Sequence, residues 1–246
     1  MNVIICYVRG FIAEILIYCT MLILGTIGLP FSLISKDWAY GFIRLYCRTC
    51  FLILRILNNI RIECRGEIPQ GKVLVCSKHM SFLDILMLAY YLPRASFVMK
   101  KEILFLPIIG LYGLRIGCVP VARGTGSKAL NSMIRDYSDF DKKNETQQIV
   151  IYPQGTRVQP KEIKKYKIGA GVLYERLRLP CHLVGTNSGK IWPKGSFKKS
   201  SGIAVIEFFS VLQAGISLNE FMVKMETDIE KCSNMLMEEE EKSREK

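Results

Sequence analysis

The spacing of apolar positions changes character twice along this chain. From Ile15 to Ser35 no residue carries a charge, and about 20 apolar residues suffice for a helix to span the hydrocarbon core of a bilayer. Glu14 precedes this run, and Gly25, Gly28 and Pro30 interrupt it. The pattern predicts a hydrophobic helix that enters the membrane and is kinked or ended near Leu29, because Pro30 lacks a backbone donor and crowds the preceding turn. It does not read as a signal peptide, since the first basic residue is Arg9 and no small-x-small cleavage site follows. Ser35 and Asp37 then offer caps for a second helix, Trp38 to Leu57. Its Arg44, Arg48 and Arg55 fall on one narrow face of an otherwise apolar surface. Such a helix suits a membrane interface; the alternative is a core helix whose arginines pair with acids.

From Ile60 the period shortens. Ile60 to Cys64 alternates apolar and polar, as a strand with one wet face does, and Val73 to Ser77 is apolar throughout, as a buried strand is. A helix over Phe82 to Leu92 follows. Strands are predicted over Ala95 to Met99, Cys118 to Val121, Gln148 to Tyr152, Cys181 to Thr186 and Ile203 to Phe209. Helices are predicted after Ser127, which places Leu130, Met133, Ile134 and Tyr137 on one face, and over Gly169 to Leu177. Strands alternating with helices imply βαβ units. The fold expected is α/β, a mostly parallel central sheet flanked by helices, with an N-terminal two-helix membrane element over residues 1–59 and an α/β catalytic domain over 60–217. Residues 218–246 are expected to form an amphipathic helix, with Leu218, Met222, Met225, Ile229, Cys232 and Leu236 on one stripe, and a solvated, frayed charged tail from Glu238.

Composition sharpens the membrane reading. The 246 residues are half hydrophobic, with 34 Lys and Arg against 22 Asp and Glu, a formal net charge of +12. An apolar and basic chain points to an anionic lipid surface, with no nucleic acid as partner, since the aromatics do not interleave with the basic residues as they do in a stacking platform. The nine cysteines are odd in number and scattered, which favours reduced thiols in a cytosol-facing protein. Cys47 and Cys50 form a lone C-x-x-C in an apolar helical stretch, without the second pair or the nearby histidine that a zinc site needs.

The chemistry concentrates where strands end. His79 falls in the turn between the strand Val73 to Ser77 and the following helix, and Asp84 falls in the first turn of that helix. The spacing lets the carboxylate fold back onto the ring, which fixes the tautomer and leaves the second nitrogen free as a base. The plainer alternative is a loop histidine followed by an acid favoured at a helix N-terminus. A second stretch, Tyr152-Pro153-Gln154-Gly155-Thr156-Arg157, runs from a buried strand into a turn. Gly155 permits close backbone approach, Arg157 carries the planar fork that suits phosphate, and Lys161, Lys164, Lys165 and Lys167 add positive charge. This run also fits a solvated basic loop. Lys100 and Arg123 follow strands in the same way, so His79, Lys100, Arg123 and Arg157 are expected to share one sheet edge. His182 reads as a strand or edge residue. Ser81 is a weak candidate nucleophile, because no Gly-x-Ser-x-Gly elbow surrounds it.

These residues reach a known pattern. His79-Met80-Ser81-Phe82-Leu83-Asp84 resembles the H-x4-D block of the glycerolipid acyltransferases. Val119-Pro120-Val121-Ala122-Arg123 is similar to their second block, Tyr152 to Arg157 to their third (Phe-Pro-Glu-Gly-Thr-Arg), and Leu179 to Val184 to their fourth. The four occur in family order over residues 60–215, and the two N-terminal helices resemble those of bacterial-type lysophosphatidic acid acyltransferases. Three positions depart from the pattern: Lys78 stands where many members carry Asn, Ala122 replaces Asp, and Gln154 replaces Glu.

The resemblance implies a 1-acylglycerol-3-phosphate O-acyltransferase, which moves a fatty acyl chain from a thioester of coenzyme A or acyl carrier protein to the hydroxyl of a lysophospholipid. No metal and no cofactor beyond that co-substrate is implied. His79 would be the base and Asp84 its orienting partner. Arg157, Arg123 and Lys100 would hold the acceptor's phosphate, with Gly155 and Thr156 in the motif loop, where backbone amides are candidates for oxyanion binding. The implied location is the cytoplasmic face of the inner or plasma membrane. The competing readings are acylation of another lysolipid or an aminolipid, and a non-catalytic membrane-binding module.

Overall fold

The computed structural model describes residues 3–122 and 146–244. Arg123 and the helix expected after Ser127 lie outside the described residues. Two long helices, α1 (Val3–Ile34) and α2 (Lys36–Asn58), precede β1 (Ile60–Gly66), β2 (Val73–Ser77) and α3 (Phe82–Tyr91). Then come β3 (Ala95–Lys100), a short 3-10 turn, α4 (Ile109–Arg115), β4 (Val119–Val121), β5 (Gln148–Ile151) and α5 (Gly169–Leu177). The chain continues through β6 (Cys181–Thr186), the single turn α6 (Ser188–Ile191), β7 (Gly202–Leu212) and α7 (Leu218–Arg244).

The seven strands form one sheet in the order β1-β7-β6-β2-β5-β3-β4. The ladders β6·β2, β2·β5, β5·β3 and β3·β4 are parallel, β1·β7 is parallel, and β6·β7 alone is antiparallel. Five strands therefore present their carboxyl ends on one side, and β1 and β7 run the other way. Strand β2, at the centre, is buried along its whole length. Its pleat serves two layers: Val73 and Val75 meet Leu83, Leu86, Cys47 and Leu54 of α3 and α2, while Leu74 and Cys76 meet Leu173, Tyr174, Phe221 and Met225 of α5 and α7. That is why it reads as an unbroken apolar run.

Helix α1 does not end near Leu29 as one reading of the sequence expected. It continues through Pro30 to Ile34, and side-chain donors from α4 and from α1 itself meet carbonyls on both sides of the proline. Tyr112 donates its hydroxyl to the Gly25 carbonyl at 3.2 Å, the Ser32 hydroxyl donates to the Gly28 carbonyl at 2.8 Å, and Arg115 Nε donates to the Ser32 carbonyl at 2.6 Å. The glycines are the packing face and not breakers. A Cβ on Gly25 would lie 2.3 Å from Ile108, and one on Gly28 would lie 2.4 Å from the Phe42 ring. The opposite side, including Phe11, Ile15, Leu22, Ile23 and Ile27, is exposed. Among the described residues α1 is the one helix long and apolar enough to cross a membrane, by length and composition.

Ser35 caps α2, its hydroxyl accepting from the Asp37 N–H at 3.1 Å. The inner face of α2, with Cys47, Cys50 and Leu54, is part of the main core. Of the basic stripe, Arg44 donates to the Pro93 carbonyl, while Arg48 and Arg55 are exposed. The C-terminal tail differs from the frayed segment expected, since α7 continues to Arg244. Glu239 pairs with Arg65 at 2.7 Å, Glu241 pairs with Lys190, and buried Glu240 accepts from the Ile203 N–H at 3.3 Å. The run of acids is helical because cations on β1 and α6 meet it; the Arg65 guanidinium holds the Glu239 carboxyl below its ordinary range.

A buried ion pair fastens the start of α1 to the catalytic layers. Lys199, wholly buried, donates Nζ to Glu14 Oε1 at 2.8 Å and to the Gly10 carbonyl at 3.0 Å, and lies 4.3 Å from the centre of the Trp192 ring. Burial draws the ammonium's pKa down and Glu14 opposes that shift. Removing one partner of such a pair leaves an uncompensated charge. Glu14→Ala is expected to lower stability by about 3 kcal/mol, read from denaturant unfolding in detergent. The apolar double variant Glu14→Leu/Lys199→Met is expected to recover most of that loss, because it removes both charges together.

Candidate active site

The site lies where β2 gives way to α3. Ser81 is the N-cap of α3, its hydroxyl accepting from the Leu83 N–H at 3.1 Å. Asp84 closes the reciprocal half of a capping box, its Oδ2 accepting from the Ser81 N–H at 2.8 Å. The same oxygen accepts from the Met80 N–H at 2.8 Å and from the Ser188 hydroxyl at 3.3 Å. Oδ1 lies 2.9 Å from His79 Nδ1. Asp84 is 0% exposed and the His79 side chain 12%. The buried carboxylate accepts at Oδ1, so Nδ1 carries the imidazole proton and Nε2 is left with a lone pair. Among the described residues no group hydrogen-bonds Nε2.

Two further contacts hold the ring. The Tyr152 ring stacks on the imidazole with centroids 4.0 Å apart and planes 18° apart. Its buried hydroxyl has no hydrogen-bond partner among the described residues, and burial together with the Asp84 charge keeps the phenol neutral by raising its pKa well above the ordinary value. The backbone of His79 is tied at both ends, its N–H donating to Gln154 Oε1 at 3.4 Å and its carbonyl accepting from the Val158 N–H at 2.8 Å. The β2–α3 turn and the loop after β5 are thus one unit.

The remaining sequence candidates are placed less uniformly. Gly155 has φ +68, and its N–H is committed to the Tyr152 carbonyl at 2.9 Å, so that amide is not an oxyanion donor. A Cβ there would lie 2.9 Å from Lys167 Nζ, which brings an exposed ammonium to the turn. Thr156 and Arg157 are half-buried just beyond, and the Arg157 carbonyl accepts from Lys194 Nζ at 3.1 Å. Lys100 ends β3, on the same side of the sheet, but its ammonium pairs with Glu102 at 3.2 Å. Its charge is therefore already partly matched.

Three other candidates resolve plainly. Ser81 is buried and engaged as a cap, which removes it as a nucleophile. His182 lies in β6, inside the sheet between β2 and β7 and not at an edge, and burial lowers its pKa. Cys47 and Cys50 are buried free thiols; burial raises both pKa values, that of Cys50 to about 12. Among the described residues no group of three or more His, Cys, Asp or Glu is placed to hold a metal ion. Sequence reasoning missed Tyr152 and Ser188 as parts of the site. Tyr152 stood inside a motif already noted, whereas Ser188 had no local signal.

Comparison with known proteins follows the same lines. A 1-acyl-sn-glycerol-3-phosphate acyltransferase of Pseudomonas aeruginosa is 28% identical over 159 residues, covering 64% of this chain and 61% of that protein. One of Cocos nucifera is 25% identical over 211 residues, covering 85% of this chain and 65% of that protein. The match thus spans under two thirds of the length of these curated relatives. The crystal structure of PlsC, a 1-acyl-sn-glycerophosphate (LPA) acyltransferase of Thermotoga maritima, superposes with a TM-score of 0.77 at 17% identity, covering 96% of this chain and 99% of that one. It shares the fold described above. The family model described as Acyltransferase matches residues 59–207, the span from the start of β1 into β7 that carries the His79–Asp84 pair, and this chain belongs to the acyltransferase family.

Proposed function

We propose that this chain is a 1-acylglycerol-3-phosphate O-acyltransferase, which transfers a fatty acyl chain from a thioester to the sn-2 hydroxyl of lysophosphatidic acid and yields phosphatidic acid. The observation that carries the reading is His79, held by the buried Asp84 carboxylate, with no group among the described residues hydrogen-bonded to Nε2. Nε2 takes the proton of the acceptor hydroxyl as that oxygen attacks the thioester carbonyl. The new O–C bond forms, the C–S bond breaks, and the imidazolium returns its proton to the departing thiolate. Asp84 stabilises the imidazolium without taking its proton. The thioester belongs to coenzyme A or to acyl carrier protein. Support against a non-catalytic module comes from the same atoms: a structural role does not require Nε2 to be left unbonded.

The acceptor's phosphate is assigned to Arg157, with Arg123 and Lys100 assisting. A phosphate monoester carries about −1.5 to −2 charges at neutral pH, so one cation does not match it, and β3 and β5 are neighbours whose carboxyl ends lie on the His79 side. We assign the bilayer contact to the exposed side of α1 with the outward face of α2, where Trp38, Leu45, Leu52 and Ile56 are exposed. The catalytic layers then sit at the cytoplasmic surface.

Purified protein in detergent, given a panel of lysolipids with both thioester types, tests the activity. His79→Ala is expected to abolish turnover, and Asp84→Asn to retain more because it keeps the shape of the site. A His79→Ala enzyme near parental turnover would end the proposal. Charge-assisted bonds contribute about 1.5–3 kcal/mol each. Arg157→Ala should therefore lower kcat/KM for the acceptor by roughly ten- to a hundredfold, with Arg157→Lys in between and the donor much less affected. Equal rates on lysophosphatidic acid and monoacylglycerol would exclude the phosphate pocket. Charge attraction fades at high salt while apolar burial does not, so membranes washed in high salt should keep the protein; its release would exclude insertion of α1.

A further inference from the structure

Behind the catalytic turn lies a polar cluster that the mechanism above does not use. Lys78, next in sequence to His79, is 1% exposed and donates Nζ to Glu230 Oε2 at 2.6 Å. Glu230 Oε1 accepts from the Tyr166 hydroxyl at 3.0 Å and from Gln154 Nε2 at 3.4 Å. The other end of the Gln154 amide, Oε1, accepts from the His79 backbone N–H. Its orientation is fixed because a donor faces one end and a carboxylate faces the other. Burial and the Glu230 charge raise the Tyr166 pKa, so the phenol remains a donor.

Glu230 belongs to α7, beyond the stretch matched by the family model. That helix is set closely against β6. A Cβ on Gly185 would lie 2.4 Å from Cys232 Sγ, and Ser233 Oγ accepts from the Thr186 N–H at 3.2 Å. The carboxylate is therefore delivered from a rigid element and not from a loose side chain. We propose that Glu230 is a positioning residue for His79. It neutralises the buried Lys78 ammonium and, through Lys78 and Gln154, holds the β2–α3 turn so that the imidazole stays in register with Asp84. The identities at 78 and 154 follow from it. A glutamate at 154 would set two carboxylates against each other at the 3.4 Å contact, and a neutral residue at 78 would leave Glu230 without its ammonium partner.

The inference rests on the His79–Asp84 assignment in the function proposed above, so its test has a readout that needs no turnover. The chain has two histidines, and nitrogen NMR of histidine-labelled protein, in the pH range where both rings are neutral, reports the His79 tautomer directly. Parental protein should give a single Nδ1-protonated His79 signal. Glu230→Gln should broaden or split that signal and lower kcat by about tenfold or more, with both KM values within about twofold. Glu230→Asp should be intermediate. Lys78→Asn in the Glu230→Gln background removes the stranded charge, and should restore the single tautomer and return kcat to within about threefold of the parent. A parental tautomer and turnover in Glu230→Gln would overturn the proposal. So would a Glu230→Gln defect that the double variant does not relieve, including failure of both to fold, because Glu230 would then serve α7 itself. If the parent transfers no acyl group to any lysolipid, the function proposed above fails, and the tautomer in the two variants still decides the role of Glu230.

Discussion

A carboxylate with no exposure to water must have its charge met by donors, and at Asp84 four donors meet it: two backbone amides, the Ser188 hydroxyl and His79 Nδ1. An unpaired charge there would be costly, so the surrounding chain is constrained to deliver all four. The Met80 and Ser81 amides come from the turn that caps α3, which ties the catalytic geometry to helix initiation. Ser188 comes from the segment after β6, two residues past the strand that lies beside β2. The imidazole is the last donor. The dyad thus begins with local folding at one helix end and is completed by contacts from distant parts of the chain, Ser188 on the carboxylate and Tyr152, Gln154 and Val158 on His79.

The sheet decides what surrounds it. Because β6, β2, β5, β3 and β4 are parallel, their carboxyl ends crowd one side, and the loops after β2 and β5 join through His79, Gln154 and Val158. At the other end of the sheet β7 and β1 run the opposite way, and β1 connects directly to the long N-terminal helices. The capped end of α2 leads into β1 with a single residue, Asn59, between them in the left-handed region. The apolar helices and the catalytic layers therefore form one packed body, joined by the α2 face in the core and by the buried Lys199–Glu14 pair.

Two of the three positions that depart from the family pattern belong together. Lys78 and Gln154 are both buried, and both contact Glu230. Each alone would be a liability: an unpaired buried ammonium, or an amide in place of a charged group. In combination they complete a hydrogen-bonded cluster around one carboxylate, the arrangement in which buried polar groups are tolerated.

Much of this was legible in the residues themselves. The hydrophobic period marked α1, α2 and all seven described strands, β2 and β6 to the residue, because burial on one or both faces of an element leaves a local signature. The H-x4-D spacing located the dyad, because a capping box is a local structure whose geometry four residues suffice to specify. Other features depend on what arrives from elsewhere. The seating of α1 around Pro30 involves Tyr112 and Arg115 of α4, and the order of the charged C-terminal helix relies on Arg65 and Lys190. Local sequence determined which groups could act as base, cap or strand. Only the tertiary structure decided which charges found partners, because a partner's distance along the chain carries no information about its distance in space.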